Sequence, residues 1–346
     1  GTRFAVIADE AHSSQTGEAI KDLKEVLSGK TGEQALEAAE QADTVAADSA
    51  QDLEDALVAS AQARGKQSNL TFFAFTATPK AKTLEIFGQK VRGLDGEERY
   101  VPFHLYSMRQ AIEEGFILDV LSHYTTYSTY YRLANGLGGD DPVLPRGKAA
   151  SALARYVSLH PTNLAQKAEI IVNHFRTHTA SKIGGRAKAM VVTRSRLHAV
   201  RYHEAITSYI SEKGYDTGTD PVRVLVAFSG TVFDPDLPNV EYREAMLNGF
   251  GEAALPERFA TDEYQVLIVA EKYQTGFDQP LLHTMYVDKR LDGIKAVQTL
   301  SRLNRIHPGK DDTFVLDFAN DADTITEAFR PYLSQTTAAP TDPNVL

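Results

Sequence analysis

Cysteine and tryptophan are both absent from the 346 residues. Without cysteine there is no disulfide, thiolate zinc site, iron–sulfur cluster or cysteine nucleophile to consider. No uninterrupted apolar run reaches the roughly 20 residues that a membrane-spanning helix needs. The opening Gly1-Thr2-Arg3-Phe4 has none of the features of a signal peptide. His-Glu-x-x-His and Gly-x-Ser-x-Gly do not occur, and His203 has no second ligand in register, so zinc-protease and serine-hydrolase chemistry fall away. Hydrophobic content of 42% and charged content of 24% exclude a disordered chain, a collagen and a coiled-coil rod. Basic residues number 36 against 46 acidic, a net charge of −10 that by itself argues against a nucleic-acid partner. At roughly 150 residues per domain, the length suggests two domains.

The apolar runs are short and end in chemistry. Phe4–Ala8 is a continuous apolar stretch, as expected of a strand buried on both faces of a parallel sheet. Because it reads as a core strand from the outset, the chain is expected to be a portion of a longer polypeptide. Residues 13–27 turn helical, and 33–64 form an Ala-rich acidic stretch expected to be one or two exposed helices, a solvated insertion over about 29–68. A second strand covers 70–75, and a short helix within 107–118 stops at Gly115. Residues 122–148 are rich in Tyr, Thr, Gly and Pro, which places the main boundary near 122. Clustered Tyr124, Tyr127, Tyr130 and Tyr131 are read as packing at a junction rather than as base-stacking platforms.

Beyond 122 the pattern alternates. Helices are predicted over 163–178, 197–213, 240–250 and 294–305, with strands at 189–192, 222–228, 264–269, 284–287 and 313–318. Repeated strand–helix order is the mark of an α/β fold, parallel sheets covered by helices. The predicted division is 1–122 and 123–335, with a linker-like tail over 336–346.

Four clusters sit where such a fold places ligands, at strand ends. Asp9-Glu10-Ala11-His12 follows the first strand directly, where one carboxylate can hold a nucleotide-bridging Mg²⁺ and the next can orient water. The competing explanation is two acids complementing a helix N-terminus. Thr76-Ala77-Thr78-Pro79 ends the second strand. Thr275-Gly276-Phe277-Asp278 follows the strand ending at Val269. Gln298 through Arg305 is predicted on a helix, with Arg302 and Arg305 sharing one face and suited to a triphosphate.

Read together, these stretches resemble a superfamily 2 helicase or translocase, from motif II (Asp9–His12, an Asp-Glu-Ala-His box) through III (Thr76–Thr78) and V (Thr275–Asp278) to VI (Gln298–Arg305). Within it, Ala74–Pro79, Tyr106–Val120, Tyr273–Pro280 and Gln298–Arg305 are most similar to the motor portion of the R subunit of type I restriction enzymes. Ser301 stands where Gly is usual in motif VI, which favours the restriction-enzyme branch over RNA helicases. The resemblance implies P-loop NTPase (RecA-like) domains, a partial first and a complete second. It implies ATP and Mg²⁺ as cofactors. Asp9 would hold the metal, Glu10 would activate water and His12 would lie at the nucleotide. Thr76 and Thr78 would couple ATP to DNA, and Gln298, Arg302 and Arg305 would reach phosphates. Asp278 would sit near the nucleotide, with Thr275 and Gly276 facing DNA or the cleft. The implied activity is ATP-dependent translocation on double-stranded DNA within a restriction–modification complex, beside methyltransferase and specificity subunits, in a prokaryotic cytoplasm and with no membrane role.

Two elements of that family have no counterpart in these residues. The phosphate cradle Gly-x-x-x-x-Gly-Lys-Ser/Thr does not occur: Gly29-Lys30-Thr31 has Lys24 where the first Gly belongs, and it follows the acid box. Glu-x-Lys, the core of the family's nuclease centre, does not occur either. A candidate DNA surface brackets the strand at 189–192: Lys182, Arg186, Lys188, Arg194, Arg196 and Arg201, opposed in sequence only by Glu204. Two other readings share these residues: a different superfamily 2 DNA or RNA helicase, and a non-catalytic interaction module.

Overall fold

A computed structural model describes residues 4–8, 70–79, 81–93, 96–130, 159–234, 236–273 and 277–334. The chain divides into two compact units, Gly1–Leu105 and Tyr106–Leu346. In the first, β1 (Phe4–Ala8) pairs in parallel with β2 (Leu70–Ala74), Phe4 opposite Leu70 and Ala8 opposite Ala74. Helix α1 (Ala81–Phe87) follows, then the antiparallel ribbon β3 (Gln89–Arg92) and β4 (Glu98–Val101). Burial of this strand pair on both faces is not what the structure shows. Ile7 and its register partner Phe73 are 67% and 48% exposed, so one face of the ribbon is open. The acidic stretch 33–64 lies outside the described residues.

The second unit is built on a six-stranded, all-parallel sheet. Its strands are β5 (Tyr124–Thr126), β6 (Lys188–Thr193), β7 (Val224–Ala227), β10 (Val266–Val269), β11 (Leu282–Asp288) and β12 (Phe314–Asp317), in the spatial order β5-β12-β11-β6-β10-β7. β6 and β11 are buried at every residue. Alternation along them divides the core in two. Met190, Val192, Met285 and Val287 face one side with Ala296, Val297 and Leu300 of helix α7 (Gly293–Leu300). Ala189, Val191, Ile268 and Tyr286 face the other with helices α3 (Pro161–His174) and α4 (Arg196–Glu212). Each fully buried large side chain in such a layer contributes about 1.5–3 kcal/mol.

Local chemistry sets the helix starts. Ser195 accepts from the His198 amide at 3.3 Å to cap α4, and Pro161 opens α3 behind a His160 cap. Three predicted elements come out differently. α3 stops at His174 and continues as a π-turn over Phe175–Thr179. The region predicted as helix 240–250 is mostly strand: β8 (Thr231–Asp234) and β9 (Leu237–Arg243) form a hairpin, and only α5 (Glu244–Asn248) is helical before α6 (Leu255–Ala260). α7 ends at Leu300, five residues short of Arg305. The segment 106–122, assigned from composition to the first part, packs on the second unit: α2 (Met108–Glu113) leads to an Ile117–Arg305 bridge and to Val120 in the core. Helix α8 (Ala322–Ser334) completes the described fold.

The π-turn lies beside His174, which stacks on Phe314 and His178 at centroid distances of 4.6 and 4.8 Å and meets the Tyr286 hydroxyl at 2.8 Å through Nδ1. Burial, with smaller contributions from the His178 and His283 charges, pushes His174 down to about 4. The unfolded imidazole protonates first, so this stability is complete above about pH 6.5 and lost as pH falls toward 4, to a limit of about 3 kcal/mol. Urea midpoints at pH 7 and pH 5 check this. His174→Phe should flatten the difference, leaving a residual slope from His203, which burial also lowers to about 4. An unchanged slope in the variant would refute the assignment.

Candidate functional site

β6 and β11 are neighbours, yet the helices that follow them, α4 and α7, cover opposite faces. That is a topological switch point, and the crevice at the carboxyl ends of its strands is where open α/β sheets bind ligands. Asp288 closes β11 there, 1% exposed. Its carboxylate accepts from Lys167 Nζ at 2.8 Å, Tyr202 Oη at 2.7 Å and an Arg194 guanidinium N–H at 3.2 Å. Burial raises this carboxyl. The Lys167 and Arg194 charges and the hydrogen bonds from Lys167 and Tyr202 outweigh burial and hold it below the usual range. A carboxylate with three donors is not an available base; it fixes α3, α4 and the start of the 194–196 turn to the strand end. At the next strand, Asp317 accepts from Tyr124 Oη at 2.7 Å and from the Ala319 and Asn320 amides, tying edge strand β5 to β12.

A second corner joins the segment after residue 276 to the end of α7. Arg302, 8% exposed, donates to the Phe277 carbonyl at 3.2 Å and to the Gln298 carbonyl at 3.2 Å. Arg305 Nε donates to Asp278 Oδ1 at 3.0 Å, and another Arg305 N–H donates to Asn304 Oδ1 at 2.8 Å. The two arginines do not share a helical face as predicted. The chain leaves α7 at Leu300 through successive tight turns, Leu303 N to Leu300 O at 3.0 Å and Asn304 N to Ser301 O at 3.3 Å. Arg302 therefore points inward and Arg305 outward, its side chain 39% exposed beside an Asp278 that is 71% exposed. Physically the corner can present one guanidinium, oriented by a carboxylate, to a negatively charged group.

The remaining sequence candidates divide by position. Asp9, Glu10, His12, Thr275 and Gly276 lie outside the described residues. In the first unit Thr78 is buried and its amide donates to Thr76 Oγ1 at 3.1 Å, so the hydroxyl of Thr76 caps the turn after β2. The basic run does not form one surface. Lys182 and Arg186 stand before β6 and pair with Asp312 and Asp262 at the amino edge of the sheet. Lys188 is buried, its ammonium on the carbonyls of Thr261 and Tyr264. Arg194 and Arg196 lie at the carboxyl edge, roughly 20 Å away along six strand residues. There Arg196 holds the Ser229 carbonyl at 2.9 Å, and Arg201 makes ion pairs to Asp234 and Asp236, both at 2.6 Å.

Several residues escaped the sequence reading. Lys272 bridges buried Glu244 and exposed Glu252, both at 2.8 Å, between Glu271 and Tyr273, which both adopt a positive φ of 65°. Non-glycine residues rarely hold that conformation outside strained functional segments. Lys310 is the other, and nothing in its sequence surroundings beyond the Pro308-Gly309 turn distinguishes it. Among the described residues, no group of three or more His, Asp or Glu side chains could hold a metal ion, and no helix is long and apolar enough to cross a membrane.

Asp288→Asn should cost about 3–5 kcal/mol in urea unfolding, because Lys167 and Arg194 lose their buried counter-charge. Tyr202→Phe, which removes one donor, should cost about 1 kcal/mol. Equal losses for the two variants would show that charge pairing is not what holds this crevice.

Residues 239–320 match the family model of type I restriction enzyme subunit R domain 3. Among curated proteins, the chain is 29% identical over 52% of its length to the endonuclease subunit of the type I restriction enzyme MjaVIIP of Methanocaldococcus jannaschii. It is 26% identical over 77% to that of MjaIXP from the same organism, and 24% identical over 78% to that of HindI from Haemophilus influenzae. The chain spans 17%, 25% and 25% of those three proteins, a quarter of their length or less. A fragment of an HsdR subunit of a type I restriction enzyme from Vibrio vulnificus aligns with 78% of this chain and 43% of its own, at 16% identity and a TM-score of 0.46. The type ISP restriction–modification enzyme LlaBIII bound to DNA aligns with 96% of this chain and 20% of its own, at 12% identity and a TM-score of 0.44. The chain is thus similar to the endonuclease subunits of type I restriction enzymes, and its residues 239–320 match subunit R domain 3.

Proposed function

We propose that this chain is the motor segment of a type I restriction R subunit, driving ATP-dependent translocation along double-stranded DNA beside methyltransferase and specificity subunits. The observation that carries the reading is the corner at Phe277–Asp278 and Arg302–Arg305. It lies wholly inside the region matched by subunit R domain 3, and it turns one carboxylate-oriented guanidinium outward. In this proposal Arg305 stabilises charge on the transferring phosphoryl group, and Arg302 fixes the backbone on which Asp278 sits. Mg²⁺-ATP is the substrate, with Asp9 and Glu10 as the metal-holding and water-orienting acids and His12, Thr76, Thr78 and Gln298 lining the nucleotide side. Thr275, Arg194 and Arg196 are the candidates for the DNA backbone at the carboxyl edge, and Gly276 permits close approach.

Because the sequence holds no Gly-x-x-x-x-Gly-Lys-Ser/Thr, the 346-residue chain alone should hydrolyse Mg²⁺-ATP little or not at all. Robust turnover by it would overturn the proposal. Joined to a segment that supplies the missing phosphate loop, the protein should show ATPase activity stimulated by double-stranded DNA and not by RNA. Arg305→Ala should then lower kcat by about 10³-fold or more. Stimulation by RNA alone would assign the motor to another superfamily 2 branch.

A further inference from the structure

Lys310 is 5% exposed and has no carboxylate partner among the described residues; its ammonium instead donates to three main-chain carbonyls, Pro280 at 3.2 Å, Leu303 at 2.8 Å and Arg305 at 2.8 Å. Those three contacts exhaust its donors. They complete a ladder between two segments: Arg302 on the Phe277 carbonyl, Arg305 on the Asp278 carboxylate, Lys310 on the Pro280 carbonyl. The ladder also reaches a third segment. Arg305 makes an antiparallel bridge with Ile117, and the Leu118 amide donates to the Asn304 carbonyl at 2.9 Å.

Residues 301–305 have left the helix, so their carbonyls have no i+4 amide donors ahead of them. A buried carbonyl left unpaired costs about 1–3 kcal/mol. One ammonium answers two of them, at Leu303 and Arg305, and pins the same turn to the segment after Asp278. Burial, with a smaller contribution from the Arg305 charge, pushes Lys310 down to about 7. Packing alone does not call for an amine here, since an apolar side chain of equal volume would fill the space without the cost of burying a charge that has no counter-charge among the described residues.

We infer that Lys310 is the positioning residue for Arg305: its three carbonyl contacts hold the turn after α7 in the one conformation that sets the Arg305 guanidinium on Asp278. The functional consequence rests on the proposed role of Arg305; the positional claim does not. A methionine at 310 keeps the length and volume of the side chain and removes every donor. A neutral or absent amine therefore frees the 303–305 turn, and with it the orientation of the guanidinium, while the sheet strands 20 or more residues away in sequence stay as they are.

The absence of cysteine provides a clean test. Lys310→Cys introduces the only thiol in the chain. Alkylation of the unfolded protein with 2-bromoethylamine and refolding then rebuilds a lysine-like ammonium of nearly the same reach. In Lys310→Met and in unmodified Lys310→Cys, hydrogen exchange at the Leu118 amide should quicken at least tenfold, with β6 and β10 unchanged. Aminoethylation of Lys310→Cys should restore it. Unchanged Leu118 protection in the variants, or a loss shared equally by β6 and β10, would overturn the inference. Should both variants fail to fold, amine-reactive labelling of the wild-type chain decides. Lys310 must react at least tenfold more slowly than exposed Lys295, and equal rates overturn the inference. In the loop-completed motor protein, Lys310→Met and unmodified Lys310→Cys should lower kcat with KM for ATP little changed, and aminoethylation of Lys310→Cys should restore kcat. If Leu118 protection falls and recovers while kcat does not follow, the positional claim stands and the phosphate-facing role of Arg305 fails.

Discussion

Complete burial of β6 and β11 is the constraint on which the second unit depends. A strand buried from first to last residue cannot end in water on both sides, so the polar groups at its ends need partners inside the protein. Lys188 begins β6 and places its ammonium on two carbonyls of the Thr261–Tyr264 turn. Asp288 ends β11 and draws Lys167 and Tyr202 from two separate helices. Asp317 does the same for β12 with Tyr124 and Asn320. The charged residues that border the strands thus hold the helices at fixed positions relative to the sheet.

The same constraint explains what could and could not be read from residue order. Continuous apolar runs such as Met190-Val191-Val192 and Val266–Val269 mark buried parallel strands because both faces must be apolar, and the alternation with α4 and α7 follows from there. β8 and β9 were not legible. Thr231–Arg243 contains two prolines and an exposed Phe233 and Leu237, and its pairing comes from a local antiparallel ribbon rather than from the main sheet. The end of α7 was not legible either, since Leu300 through Arg305 keeps helical spacing of apolar residues. What stops it is tertiary: Lys310 and the Ile117 bridge take up the carbonyls and amides that another helical turn would use.

The corner residues show the two kinds of legibility side by side. Asp278, Arg302 and Arg305 were identifiable from residue type and order, and the structure brings them together. Their division of labour was not, because it depends on which way the chain turns after Leu300. Arg302, buried, is spent on the Phe277 carbonyl; Arg305, outward, keeps an exposed edge. Lys272, Glu244 and Lys310 carry no pattern that separates them from surface residues, and only their burial and partners reveal them.

Charge follows the same logic. The net −10 argued against nucleic acid, and the basic run at 182–201 argued the reverse, with Glu204 as its sole opponent in sequence. In space the opponents come from residues 33 to 130 positions away: Asp234 and Asp236 on Arg201, Asp288 on Arg194, Asp262 on Arg186, Asp312 on Lys182. A carboxylate at 3 Å offsets a guanidinium's field beyond roughly one Debye length, about 8 Å at physiological salt. Any contact with a phosphate backbone must therefore be made at close range, by guanidiniums whose remaining N–H groups reach past their own acids. For the proposed DNA partner, docking would then be set by the geometry of the individual guanidiniums and not by the overall field of the protein.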